Sequence, residues 1–487
     1  MKPTNMLYIM SDQHNYRVMG CYGNSVVQTP NLDRLAEGGT RFTNGYTNCA
    51  ICVPVRAALA TGRYVHQIGA WDNAHSYDGS TPSWHHRLRE QGFNATSIGK
   101  LHFKGQGCDH GFSEEIEPLN VVEGVGDILG CIRKDPPFRN KRPGIDGAGP
   151  GDSTYLQYDQ RNADSGCKWL QEHQTDQKPW ALFLSFVCPH PPYISPPEDF
   201  NFYENKELPY QPQWREADWP DHPAQEYFRR FFTFAPQFDE ETIHKMNAAY
   251  YGVCTFLDRQ IGRVLTVLKE TGLAENTRVV YTTDHGEHLG GRGLYGKFTM
   301  YEEAAGIPFL MSGPDIPKGK VVNTPISLID SFPTILETVG AKPHHGEDSD
   351  LPGDSLLSIA QDADRNRTVF SEYHAVGTQN AFYMLRNQQY KYTCYVNNPP
   401  QLFDLDTDPE ECNDLAASPD HQSVLQNFES QLREILDPDE TDARAKADQQ
   451  AIIDSFGGKE AVLSRGAFDN SPVPGEEPTF RKHGQEN

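Results

Sequence analysis

The chain has 487 residues, 37% of them apolar and 11% aromatic, a composition that excludes a disordered segment and fits an enzyme of two or three domains, or one large α/β domain with a smaller one attached. With 43 basic and 67 acidic residues the formal charge is −24, which weighs against binding nucleic acid or an anionic membrane. If its substrate is an anion, the site needs its own cluster of Lys, Arg, His and metal to overcome that field.

The first residues lead into the short apolar run Met6–Met10, too short for a signal-peptide core or a membrane span, and the chain reads as cytoplasmic. Residues 6–10 form a buried strand that stops at Ser11-Asp12-Gln13-His14. A helix follows from Pro30, capped by Thr29 and ended by Gly38-Gly39. Residues 54–61 read as a short helix just after Cys52. Residues 95–98 read as a strand ending at Gly99-Lys100, and 180–187 as a strand ending at Cys188-Pro189-His190. Between 243 and 270 apolar residues recur at helical spacing, with Gly272 as the stop. Residues 278–283 form a strand ending at Asp284-His285-Gly286-Glu287, and 308–311 another buried strand. Helices alternating with apolar strands predict an α/β fold with a mostly parallel, doubly wound sheet.

After about residue 365 short alternating runs appear at 369–373, 381–385, 390–396 and 401–405, the pattern of a small antiparallel sheet, followed by a polar helix at about 419–436. From 437 the chain is rich in Asp, Glu, Lys and Pro, with one weakly apolar helix near 446–456. This divides the chain into 1–365, the main α/β domain; 366–436, a small sheet-and-helix domain; and 437–487, a tail that is either a solvated arm or an arm through which the chain forms a homo-oligomer.

Asp12, Lys100, His190 and Asp284 all fall just past the carboxyl ends of predicted strands, the edge where open α/β sheets bind ligands. The ten cysteines are scattered, which suits free thiols. Cys49 and Cys52 form a Cys-x-x-Cys pair, which alone would suit a redox dithiol or half a zinc site, but there is no second such pair. Cys52 is followed by Pro54 and Arg56, then by Thr61-Gly62. If 54–61 is helical, Cys52 lies at its N-terminus, where backbone N–H groups favour an anion, and Arg56 lies one turn on, on the same face. A nucleophile beside a guanidinium suits attack on a tetrahedral oxyanion.

The pattern Cys-x-Pro-x-Arg with Thr-Gly ten residues in resembles the signature of the type I, formylglycine-dependent sulfatases. The likeness is collinear over roughly residues 6–415: Leu7 to Asp12, Thr29 to Ala36, Gly99-Lys100-Leu101-His102, Asp284-His285-Gly286-Glu287 with Lys297, and Leu402-Phe403-Asp404-Leu405 with Asp408-Pro409-Glu410. It implies the alkaline-phosphatase-like fold, a large mixed, mostly parallel sheet between helices with a smaller C-terminal antiparallel sheet plus helix. It also implies that a formylglycine-generating enzyme oxidises Cys52, and that Asp12, Asp284, His285 and the modified Cys52 hold one divalent ion, Ca2+ or Mn2+. Gln13 and His285 stand where many of these enzymes carry aspartate and asparagine. The Asp, Asp, His set resembles the choline-sulfatase and phosphonate-monoester-hydrolase branch and moves preference toward manganese.

By the same resemblance Arg56, Lys100 and Lys297 surround the sulfate and Asn73 adds a hydrogen bond. His190, with Lys297, protonates the leaving alcohol, and His102 helps deprotonate the gem-diol. The activity implied is cleavage of a sulfate monoester of a small or aryl alcohol through a formylglycine-hydrate nucleophile and a covalent sulfo-enzyme. Two alternatives stay open: a phosphonate monoester or phosphodiester hydrolase with the same nucleophile, and a non-catalytic anion-binding protein of the same fold. The partners expected are the small-molecule ester and the formylglycine-generating enzyme, with no nucleic acid and no membrane.

Overall fold

In the computed structural model, which describes residues 1–481 except 106, 141, 363 and 364, the N-terminal apolar run lies in the middle of the main sheet. In chain order the strands are β1 (Asn5–Asp12), β2 (Gly39–Tyr46), β3 (Asn94–Lys100), β4 (Glu114–Leu119), β5 (Gly149–Pro150), β6 (Trp180–Pro189), β7 (Ile194–Ser195), β8 (Thr277–Thr283), β9 (Gly306–Ser312), β10 (Lys320–Val322), β11 (Ile326–Ser327), β12 (Val369–Tyr373), β13 (Phe382–Arg386), β14 (Tyr390–Tyr395) and β15 (Gln401–Asp404). The main sheet has nine strands in the order β10-β2-β9-β8-β1-β6-β3-β4, with β11 also beside β2. Its pairings are parallel except those of β9, which runs against both β2 and β8. The sheet is therefore mixed and mostly parallel.

The two faces of the sheet can be read from β1 itself. Leu7 and Ile9 pack into one cluster with Leu257, Ile261 and Val264 of the long helix Glu240–Glu270 and with Leu156 and Trp169 of helix Thr154–Glu172. Met6, Tyr8 and Met10 face the other way, toward helices Cys52–Thr61, Trp84–Glu90 and Ser331–Val339. This is the period-2 alternation of a strand, here with both faces buried, as a parallel sheet covered by helices requires.

The helix predicted from Pro30 spans Pro30–Glu37, but Thr29 does not cap it through its side chain. Thr29 Oγ1 instead accepts from Gly20 N at 2.9 Å. The cap comes from the far helix: the Asp258 carboxylate accepts from Asn31 N and Leu32 N at 2.9–3.1 Å. Sequence shows that the helix starts there; only tertiary packing shows what satisfies its first N–H groups.

The four runs after residue 365 form the sheet β12-β13-β14-β15, antiparallel throughout, with helix Gln422–Ile435 packed on it through Phe428 and Leu432. The tail is not the solvated arm that is one of its two readings, though the helix expected near 446–456 is present. It forms helices Pro438–Ser455 and Lys459–Arg465, and Ala445, Gln449, Ile453 and Val462 are buried. Ile453 and Val462 share a cluster with Ile128, Leu129 and Ile132 of the main body. Among the described residues no helix is long and apolar enough to cross a membrane.

Candidate active site

The neighbouring strands β8, β1, β6 and β3 all run the same way and end on one edge. Asp12 and Lys100 are the last residues of β1 and β3; Asp284 follows β8, and His190 follows β6. The sheet thus delivers all four strand-end residues to one place. Helix Cys52–Thr61 aims its N-terminus at the same edge, every residue in it is buried, and it ends at Gly62 in a left-handed conformation.

Cys52 Sγ lies 3.0 Å from Lys297 Nζ, 3.2 Å from His285 Nε2 and 3.7 Å from Asp12 Oδ1. Lys100 Nζ is 2.5 Å from Asp12 Oδ2. Arg56 ties the group together: Nε donates to Asp284 Oδ2 at 3.0 Å, Nη2 to Asp12 Oδ2 at 3.3 Å, and Nη1 to Ser185 Oγ and to the Lys100 carbonyl at 3.0 and 2.9 Å. Asn73 Oδ1 accepts from Val53 N at 3.2 Å, so this side chain holds the first turn of the Cys52 helix. His102, His190, Asn73, Lys100 and Lys297 line the cavity over Cys52.

Asp12, Cys52, Asp284 and His285 form one buried group whose ligand atoms lie within 4.8 Å of one another. The donor set fits a divalent cation of intermediate hardness. Burial and Lys297 hold the His285 imidazole well below its usual range, so it is neutral. With Nδ1 on the Gly286 carbonyl at 3.2 Å, its other nitrogen is left facing Cys52. Burial pushes the Asp12 carboxyl up, but the cations Lys100, Lys297 and Arg56 outweigh it and hold it well below the ordinary carboxylate range. Asp284 goes the other way, to about 6, through burial and the charge of Asp12. Two buried carboxylates that oppose each other in this way are what a cation would relieve. Gln13 does not join them: its Oε1 accepts from Lys297 Nζ at 2.9 Å and its Nε2 donates to Tyr193 OH at 3.2 Å and to Glu287. Cys49 lies outside the group, and the ten cysteines are all free.

A family model described as Sulfatase matches residues 4–341, and one described as N-sulphoglucosamine sulphohydrolase, C-terminal, matches 286–437. The chain belongs to the sulfatase family. This sulfatase is 31% identical to Arylsulfatase K of Danio rerio over 455 residues, covering 89% of this chain and 84% of that one. It is 29% identical to Choline-sulfatase of Rhizobium meliloti (strain 1021), over 85% of this chain and 83% of the other. Its fold is similar to the crystal structure of a phosphonate monoester hydrolase of Agrobacterium radiobacter, with a TM-score of 0.72, 25% identity, and coverage of 88% and 95%. The protein is thus a sulfatase enzyme with the alkaline-phosphatase-like fold.

The structure also adds residues to the sulfatase site that the sequence did not single out. Glu287 organises the loop after β8, accepting from Leu289 N at 3.0 Å and Gly296 N at 2.6 Å, and so places Lys297 next to it. Gly286 in the same loop has no room for a side chain: a Cβ there would lie 2.0 Å from the Glu303 carbonyl. Tyr155 and the tail residues Phe468, Asn470 and Ser471 line the cavity. Glu287 stands inside a matched segment and could have been flagged there. The tail residues carry no local signal, because their place follows only from how the tail packs.

Proposed function

We propose that this sulfatase cleaves the sulfate monoester of a small or aryl alcohol, with Cys52 oxidised to formylglycine as the nucleophilic residue and a covalent sulfo-enzyme on the path. The observation that carries the reading is the place of Cys52, at the N-terminus of a wholly buried helix with Lys297, His285 and Asp12 around its sulfur. Left as a thiol the residue is poorly suited: burial and Asp12 push its pKa up to about 11, which keeps it protonated. Formylglycine, as its hydrate, offers two hydroxyls, one to take the sulfate and one whose deprotonation releases it. The sulfur of Cys52 stands in for those oxygens.

Arg56, Lys100 and Lys297 supply fixed positive charge around that point, the local counterweight that a chain of charge −24 needs for an anionic substrate. Burial opposes the charge on Lys297, but its pKa is raised by the groups around it, the carboxylates of Asp12 and Asp284 among them, so it keeps a proton to give the leaving alcohol. His190 is held neutral by burial and Lys297 in the free enzyme, and an arriving sulfate ester would favour its protonated form. His102, neutral through burial and the charges of Lys100 and Arg56, is suited to take a proton from the hydrate. Asn73 keeps the nucleophile's helix in place and has its amide nitrogen left for substrate. Asp12, Asp284, His285 and the modified Cys52 would hold one divalent ion, Mn2+ in preference to Ca2+, which would neutralise charge on the transferring group.

The histidine in that set, with the likeness to a phosphonate monoester hydrolase, supports a second reading in which the same nucleophile attacks phosphorus. The test is kcat/KM on an aryl sulfate and on the matching aryl phosphonate ester, using protein made with a formylglycine-generating enzyme. Mass spectrometry of the Cys52 peptide and metal analysis go with it. Faster sulfate turnover with a converted Cys52 and about one metal per chain is expected. Faster phosphonate turnover would replace the first reading by the second, and unmodified cysteine with full activity would overturn both.

A further inference from the structure

Both family models end by residue 437, yet His102 and His190 are both tied to residues beyond it. Ser471 is buried and its Oγ lies 2.9 Å from His102 Nε2. The Asn470 amide lies 3.0 Å from the Pro191 carbonyl, and the amide orientation that satisfies both of its ends, nitrogen toward that carbonyl, makes it the donor. The same carbonyl accepts from His190 Nδ1 at 2.7 Å. Two consecutive residues near the end of the chain therefore hold one histidine directly and the seat of the other.

The stretch is itself anchored. Tyr155 OH donates to the Ser471 carbonyl at 2.7 Å, and Val473 packs with Leu119, Tyr155, Tyr158 and Val187. Ala467 and Arg481 bridge through both backbone N–H groups, at 3.0 and 2.8 Å. Just before it, Arg465 Nη1 donates to the Gly126 carbonyl at 2.8 Å.

We infer that Asn470 and Ser471 are positioning residues of this sulfatase: Ser471 fixes the ring and tautomer of His102, and Asn470 fixes the backbone on which His190 sits. The inference rests on the reading in which these two histidines move protons. His102 needs such a hold. Its backbone has φ +56°, a left-handed conformation that the surroundings must impose. Among the described residues its buried Nδ1 has no partner, and Ser471 is the one side chain hydrogen-bonded to the ring. The Ser471 hydroxyl can take either role, but the tautomer with Nδ1–H would bury that N–H without an acceptor, so we take Nε2–H as the donor to Ser471 Oγ and the lone pair as lying on Nδ1. Without the hydroxyl neither nitrogen is committed and the two tautomers compete. A third group that orients the base is the usual arrangement behind an activated nucleophile.

The test uses the full-length, formylglycine-containing enzyme. Ser471→Ala should lower kcat about 10–100-fold, the scale for loss of an orienting partner, with KM within about twofold. Ser471→Thr, which keeps the hydroxyl, should recover most of it, and Asn470→Ala should lower kcat less. Nitrogen-15 histidine spectra read the tautomer without reference to activity: His102 should be fixed as Nε2–H in the parent and in Ser471→Thr, and mixed in Ser471→Ala. An unchanged spectrum and unchanged kcat in Ser471→Ala, at parental Tm, would overturn the inference, as would an Nδ1–H tautomer in the parent. If the tautomer behaves as expected but neither sulfate nor phosphonate ester is turned over, the positioning stands and the functional reading fails.

Discussion

A single guanidinium, that of Arg56, reaches two carboxylates, a serine hydroxyl and a backbone carbonyl. Such residues were legible in sequence because their roles depend on short spacings: Arg56 is one turn from Cys52, and Lys100 is two residues from His102. Ser471 was not legible, because 369 residues separate it from His102 and a lone serine in a polar tail carries no signal. A second polar hub shows the same contrast. Asp72 accepts from His75 Nδ1 at 2.8 Å, from Cys131 Sγ at 3.2 Å and from Gln449 Nε2 at 2.8 Å, so the tail docks on it. Burial opposes the charge on Asp72, but His75 outweighs it and brings the carboxyl down to about 2. Burial likewise opposes the charge on His75, and Asp72 raises it above its ordinary value. The stability due to Asp72 is complete above its ordinary pKa, near 4, and is lost as pH falls through about 2. That due to His75 is complete below about 6.5 and lost as pH rises past its raised value. His75→Gln should therefore cost most between about pH 4 and 6.5, roughly 1–2 kcal/mol, and progressively less toward pH 9. Thermal melts of both proteins across that range check it, and a gap as wide at pH 9 as at pH 5.5 would contradict it.

At the scale of elements, periodicity and apolar runs located β1, β3, β6, β8 and the long helix to within a few residues, but not direction or capping. The run Pro308–Met311 reads as a strand either way. It is antiparallel because the chain leaves β8, builds the loop holding Asp284 and Lys297, and re-enters the sheet from the end it left. The Cys52 helix ends where the sequence said it would, for a sharper reason than glycine alone: Gly62 has φ +68°, and a Cβ there would lie 2.9 Å from Phe332 Cγ. Gly62→Ala should lose roughly 1–3 kcal/mol, combining left-handed strain with overpacking. Because Cys52 is at the other end of the same helix, the Tm should fall more than kcat does; denaturation and steady-state kinetics on the one variant separate the two.

At the scale of the molecule, the composition of the tail misled because polar helices can still carry a narrow apolar face. Ala445, Ile453 and Val462 are enough to seat residues 438–465 on the body, and that brings the following strap to the cavity. The other whole-molecule fact is burial of helix Cys52–Thr61 at every position. On the proposed reading, an enzyme that must grip this segment to oxidise Cys52 would not reach it in the folded protein. Folded, unmodified protein mixed with a formylglycine-generating enzyme should stay unconverted by mass spectrometry, while the same chain unfolded in urea and diluted into that enzyme should convert. Conversion of the folded form would show that the helix opens readily.

That burial sets a clock. Cys52 and Ser471 lie about 420 residues apart, so at ~5–20 residues per second a ribosome takes roughly 20–80 s to pass from one to the other. During that interval the nascent chain still lacks the strap that lines the cavity over Cys52, so the Cys52 segment emerges long before the site around it is complete. If Cys52 is oxidised as proposed, the order of synthesis itself gives the modifying enzyme its opportunity before the fold closes over the helix.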